Sequence, residues 1–331
     1  MHPFVHLHVA SSYSMRYGTA SPSALAAAAE KRGMPALALT DRDGLFGAYK
    51  HAQACAAAGL ELVLGANLRV APVDGLGLRD SRITVLAVGK TGWASLCRLV
   101  SANAAQDMRA PVAAGPGVVA AGPGLVVLLG PDSDVGQAVA ARRADLAAAA
   151  LYSWHDVAEV VVEITDNRGP GDTARARRTL TLARETRTAA VVTNAVRYLD
   201  PADSPVAQVL DAARRNVPLG APGLPPHNGR AHLASAAEMA AVAAEIAGEE
   251  DAAVLLRDTL ELAQRCYLDP AADLGIGTRH LPDMRGDLRA SCEQGLRGYR
   301  GDLTQARERL DHVQKAGGIL LVRSKDRGPG A

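Results

Sequence analysis

Aromatic side chains are scarce in this sequence: two Phe, two Trp and seven Tyr make up 3% of 331 residues. A core with so few rings has to be filled by Ala, Val and Leu, and a hydrophobic share of 48% supplies them. Lysine is also scarce, with five residues in an arginine-rich chain, and the formal net charge is only +1. That balance excludes the strongly basic surface used to neutralise long runs of phosphate. The four cysteines, Cys55, Cys97, Cys266 and Cys292, show no CxxC or other metal-ligand spacing and read as reduced thiols. No basic segment leads into a short apolar run at the N-terminus. No stretch approaches the ~18 apolar residues of a membrane-spanning helix. Gly115-Pro116-Gly117 and Gly122-Pro123-Gly124 lack the Gly-Lys-Ser/Thr of a phosphate loop. A soluble, cytoplasmic protein with no membrane partner is expected.

The chain is organised around Phe4–Asn67. Phe4–Val9, Ala36–Leu39 and Glu61–Leu64 are short apolar runs of the kind found in buried parallel strands, and the segments between them read as crossover helices. Ser21 and Pro22 open the first helix and Gly33 ends it; residues 48–58 form the second, which stops at Gly59. Further strands are expected at Arg82–Val88, Leu125–Leu129, Val160–Ile164 and Ala189–Thr193. Helices are expected at Trp93–Asn103, Val135–Leu151 and Asp172–Thr186. Residues 110–124 read as a loop. Seven strand–helix alternations suit an α/β fold, a TIM-like barrel over residues 1–200.

After Pro201 the strand signal stops. Ala207–Arg215 and Ser235–Arg265 read as helices, so residues 201–268 form a helical completion and junction. A third section, 269–331, carries Leu288–Tyr299 and Leu303–Lys315 as helices, then the apolar run Gly318–Val322 and a charged tail.

In a barrel the chemistry sits where the parallel strands end, which singles out His6, His8, Asp41, Arg42 and Asn67. His51 reads as a surface or packing residue, and Trp154-His155-Asp156 as a loop before a strand. Arg175, Arg177, Arg178, Arg184 and Arg187 read as a solvated helix face.

Several motifs together resemble the PHP (polymerase and histidinol phosphatase) domain of bacterial DNA polymerase III alpha subunits and their error-prone paralogues. They are Phe4-Val5-His6-Leu7-His8-Val9, Tyr13-Ser14-Met15, Gly33 through Asp41, Leu45-Phe46-Gly47, Gly92 through Ser101, and Thr193-Asn194-Ala195-Val196-Arg197-Tyr198-Leu199. Arg265 through Asp269 and His280-Leu281-Pro282 resemble the family's junction into the palm domain. The resemblance covers roughly residues 1–300. It implies a distorted (β/α)7 barrel of the PHP fold and, in intact members, Zn or Mn ions held by His and carboxylate ligands at the strand ends. Such ions activate a water for phosphoester hydrolysis.

This sequence departs from the family pattern at the ligand positions. The second histidine of the HxH pair is Ala10, and the aspartate that follows is Tyr17. The histidine after Thr40-Asp41 is Arg42, and an acidic position is Asn67. Arg82, Pro131 and Ala195-Val196-Arg197 replace other ligands. Arginine cannot donate a lone pair to a metal. His6, His8, Asp41, Arg42, Asn67 and Arg197 therefore mark a vestigial site, with no catalytic or metal-binding residue expected. Its guanidiniums either pair with Asp41 and Asp43 as a structural network or hold an anion; the network is the reading adopted.

In the family, the polymerase reaction uses Mg held by an Asp-x-Asp motif of the palm. That motif is missing after residue 270, although Ser324–Ala331 faintly resembles a glycine motif at the palm entrance. The chain is thus expected to be a degenerate PHP barrel, a helical junction and a stub of palm, with no cofactor and no activity alone. The family role implied is DNA replication or repair, with DNA, a proofreading exonuclease and a sliding clamp as partners. A metal-dependent PHP phosphoesterase or 3'-5' exonuclease is one alternative. A non-catalytic scaffold for polymerase-associated subunits is the other.

Overall fold

The computed structural model describes residues 3–71, 81–106, 122–224, 227–276, 290, 293–299 and 301–312. The chain divides into two compact units, Met1–Ile276 and Gly277–Ala331. In the second, residues 303–312 are helical. His280-Leu281-Pro282, Gly318–Val322, Ser324–Ala331, Gly115–Gly117 and most of the predicted loop 110–124 lie outside the described residues.

The first unit runs α1 (Pro22–Lys31), β1 (Ala36–Arg42), α2 (Ala48–Ala58), β2 (Glu61–Val70), β3 (Ser81–Ala87) and α3 (Gly89–Gln106). It continues with β4 (Leu125–Leu129), α4 (Asp134–Ala140), α5 (Ala144–His155), β5 (Glu159–Thr165), α6 (Asp172–Glu185) and β6 (Ala190–Thr193). It ends with α7 (Ser204–Arg215), α8 (Ala236–Ala247), α9 (Glu249–Arg265) and β7 (Tyr267–Leu268).

Local chemistry sets the ends. Ser21 accepts the Ala24 N–H at 3.2 Å at the start of α1. Gly59, at φ 65°, closes α2. The predicted helix Val135–Leu151 is two helices, because Arg142 adopts φ 58° between them. The predicted helix Ser235–Arg265 is likewise broken at Gly248, with φ 84°. Trp154 and His155 belong to the end of α5 rather than to a loop, because the Trp154 indole N–H reaches the buried Asp134 carboxylate at 3.0 Å and anchors that turn.

The sheet follows chain order from β1 to β6, and β7 pairs with the start of β2. β1–β2, β4–β5 and β5–β6 are parallel. β3 is antiparallel to both β2 and β4, so the expected run of parallel strands is interrupted there. β3 thus enters the sheet from the end at which the parallel strands finish. The first apolar run is extended rather than a full strand. It spans the two edges of the sheet: Ala38 N–H donates to His6 O at 3.2 Å, and Val196 N–H to His8 O at 2.9 Å. The sheet curls around this join into a distorted α/β barrel.

Inward and outward residues alternate along each strand. Val5, Leu7, Ala36, Ala38, Val63, Leu86, Val126, Leu128, Val161 and Val191 fill the interior, and Leu262 of α9 with Cys266, which caps that helix, plugs its lower end. Leu37, Leu39, Leu62, Leu64, Val127 and Val162 pack outward under the helices. Continuing the inward rows past the apolar layer leads to Asn67, Thr84, Gly130, Glu163, Thr165 and Ala195, which line a cavity at the other end.

Candidate functional site

The cavity has a volume of about 700 Å³ and lies at the C-terminal ends of the parallel strands, joined by the N-terminal end of β3. His8, Tyr17, Asn67, Arg82, Pro131, Ala195 and Arg197 all line it. The structure thus brings together most of the positions where the sequence departs from the family's ligands.

His6 and His8 part company. Alternation alone would put residues i and i+2 on one face, but the chain bends at Leu7. His6 turns into the packed layer, where Nε2 meets Ala234 O at 2.8 Å and burial lowers its pKa to about 4. His8 turns into the cavity, with Nδ1 2.7 Å from Glu163 Oε1 and 3.4 Å from Thr84 Oγ1. Glu163 is 2% exposed and also accepts the Thr193 hydroxyl. Any side chain at position 130 would collide with this carboxylate, so Gly130 makes room for it. Sequence reasoning passed over Glu163. Its signal was available: one acid in the apolar run Val160–Ile164 must be paired if that strand is buried.

Asp41 is held by neutral donors. Ser11 N–H and the Ser14 hydroxyl each reach Oδ1 at 2.7 Å, and the Ser11 hydroxyl reaches Oδ2 at 2.9 Å. Burial raises its pKa, and the serine hydrogen bonds only partly offset this. No guanidinium pairs with it among the described residues, contrary to the expected network. The serines already occupy the carboxylate, and Arg42 turns the other way. Asp43 does form its pair, with Arg82 Nη2 at 2.9 Å. Arg82 also donates to Asn67 Oδ1 at 2.6 Å and to Asn67 O at 2.7 Å, while Asn67 Nδ2 donates to Thr84 Oγ1 at 3.1 Å.

Arg42 and Arg197 both stack on Tyr17, at 3.3 and 3.8 Å from the ring centroid. Burial lowers the pKa of Arg42. Arg197 makes a two-pronged pair with Asp211, Nη1 to Oδ2 at 3.0 Å and Nη2 to Oδ1 at 3.1 Å. Arg214 Nη2 and His227 Nε2 reach the same carboxylate at 2.9 and 2.8 Å. Burial opposes charge on Asp211, but the bonds from His227, Arg197 and Arg214 outweigh it and hold the carboxyl well below its usual range. Asp211 and His227 were also missed: they lie 14 and 30 residues from Arg197, in a helix and a loop that no spacing rule connects to it. The basic helix is not simply a solvated face. Arg175 lines the cavity, Arg177 donates to Glu245 O at 2.7 Å, and Arg184 pairs with Asp251 at 2.7 Å.

The metal cluster implied by the family does not fit these residues. Among the described residues, no group of three or more His, Cys, Asp or Glu side chains is arranged to hold a metal ion. Of the orphaned buried polar atoms in the lining, Arg175 Nε and Arg197 Nε are N–H donors that call for an acceptor, not a cation, as is Arg42 Nε behind it, and the remaining one, Asn167 Oδ1, is a neutral amide oxygen. His8 Nδ1 already faces Glu163.

Residues 6–167 match the family model for the PHP domain. The DNA polymerase III subunit alpha of Escherichia coli is 32% identical over 295 residues, 86% of this chain and 24% of that subunit. An error-prone DNA polymerase of Cutibacterium acnes is 30% identical over 327 residues, 93% of this chain and 28% of that protein. One from Corynebacterium diphtheriae is 48% identical over 99 residues, 30% of this chain and 9% of that protein. The chain thus spans about a quarter of the length of the first two. No helix among the described residues is long and apolar enough to cross a membrane. The chain carries a PHP domain homologous to the N-terminal part of DNA polymerase III alpha subunits and error-prone DNA polymerases.

Proposed function

We propose that this chain acts as a PHP scaffold in a bacterial alpha-type DNA polymerase system, without phosphoesterase activity of its own. The observation that carries the reading is the identity of the groups facing the cavity. Positions that would hold metal in an intact PHP site are Tyr17, Asn67, Arg82 and Arg197, and their side chains are engaged with Asp43, Asp211 and each other. Such a network keeps the strand ends in place without an ion, because each buried cation has its counter-charge or aromatic face. His6, Asp41 and Arg42 support the barrel from behind the cavity, and His8 is what remains of the reactive set.

Relatives bearing the polymerase name motivate the wider role, which is DNA replication or repair in the cytoplasm, with a proofreading exonuclease and a sliding clamp as partners. The test is turnover of a phosphodiester substrate by the purified chain with Mn²⁺ or Zn²⁺. The scaffold reading expects none above background. Metal-dependent turnover abolished by His8→Ala would overturn it.

A further inference from the structure

A second, smaller pocket lies where the chain leaves β5 and β6 and meets α8. Its volume is about 170 Å³, and it shares only Arg168 with the strand-end cavity. Asp166, the residue after β5, lines it and is 2% exposed. Its Oδ1 accepts the Arg168 N–H at 2.7 Å, and Oδ2 has no partner among the described residues. A carboxylate this buried costs free energy unless a cation or several donors meet it. Asn194, the residue after β6, stands in the same lining. Its Nδ2 donates to Arg230 O at 2.6 Å and to His232 O at 2.7 Å, which fixes the amide and leaves Oδ1 as a second acceptor without a partner there.

The cations beside the pocket do not answer Asp166. Arg168 pairs with Glu245 at 2.9 Å. Arg230 lines the pocket, is exposed, and forms no ion pair among the described residues. The pocket therefore joins a buried carboxylate in need of a cation to a free guanidinium in need of an anion. Met239 and the half-buried Val242 supply an apolar wall from α8. We propose that this pocket binds a small α-amino acid as its zwitterion. The ammonium donates to Asp166 Oδ2 and Asn194 Oδ1, the carboxylate meets Arg230, and the side chain lies against Met239 and Val242. Three ammonium hydrogens suit two fixed oxygens better than a neutral donor would, and a guanidinium suits a carboxylate. The volume is about that of six liquid waters, which admits an amino acid the size of alanine. Neither Asp166 nor Arg230 lines the strand-end cavity, so failure here leaves the scaffold reading untouched.

The test is an NMR shift titration of the full chain with L-alanine, and separately with ethylamine and propionate, which each keep one of its two charges. Saturable binding of L-alanine is expected, with each half-charged probe at least about tenfold weaker. Asp166→Asn keeps an acceptor for the Arg168 N–H and should weaken L-alanine about tenfold. The same variant should tighten propionate about threefold by removing a repelling charge, a gain that misfolding cannot mimic. Arg230→Gln, at an exposed position, should bring L-alanine down to the affinity of ethylamine. No saturable shift with L-alanine would overturn the site. Ethylamine or propionate binding as tightly as L-alanine would overturn the zwitterion, and an L-alanine affinity unchanged in either variant would overturn the assigned contacts.

Discussion

Asp41 and Asp211 are both buried in this fold, and their surroundings oppose each other. Asp41, at the end of β1, takes hydrogen bonds from Ser11 and Ser14 and no cation, so burial pushes its pKa up. Asp211, in α7, is buried too, yet Arg197, Arg214 and His227 converge on it and its pKa falls. The difference separates two jobs. Neutral donors shape a turn without depending on the charge they surround. A cationic set depends on that charge, because removing it leaves an arginine buried and unpaired. The Asp211 side faces the cavity where the family keeps its ions, and there the fold uses fixed side-chain charge.

The largest effect should come from breaking the charged side. Asp211→Asn leaves Arg197 without its counter-charge and should cost about 3–5 kcal/mol of stability, read by denaturant unfolding. A loss near zero would mean that the pair contributes nothing. Acid comes next. His6 and His51 are fully buried, and burial lowers the pKa of each to about 4. Both are neutral in the fold, so their contribution is present above the unfolded value of about 6.5 and is lost as pH falls to about 4. On the order of 3 kcal/mol per histidine should disappear across that window, and His51→Gln should flatten the profile. Asp211 continues the trend at lower pH: its folded pKa is depressed, so its contribution is lost below the ordinary carboxylate range. Asp41 has the opposite sign, its contribution being present at low pH and lost as pH rises through its raised pKa. The smallest effect should be Asp41→Asn, a change of about 1 kcal/mol or less, since the amide keeps an acceptor for Ser11 and Ser14. A loss as large as that of Asp211→Asn would erase the contrast.

Much of the fold is legible in one dimension. The runs Ala36–Leu39 and Leu125–Leu129 are apolar without interruption and Val160–Ile164 is interrupted by Glu163 alone, a pattern that fits strands buried on both faces, and all three lie within strands. The reversed direction of β3 is not legible, because composition does not record which end of a strand enters the sheet first. Gly248 advertised a helix break by being glycine, whereas Arg142 reaches the left-handed region without any such sign. The same limit divides the site. Arg82 and Arg197 are visible as departures from a motif, and Glu163 was visible as an acid in an apolar strand. Asp211 and His227 answer Arg197 across a fold contact that only three dimensions provide. His6 and His8 look equivalent until the bend at Leu7 sends one into the packed layer and the other into the cavity.

The central claim is that fixed side-chain charge stands where the family places ions, and metal stoichiometry tests it most directly. The purified chain would be equilibrated with Mn²⁺ or Zn²⁺, separated from free ion by gel filtration, and its metal content measured by atomic emission. Donors such as Arg82, Arg197 and a His8 already facing Glu163 predict well below one equivalent per chain. One or more equivalents, lost in His8→Ala, would contradict the account.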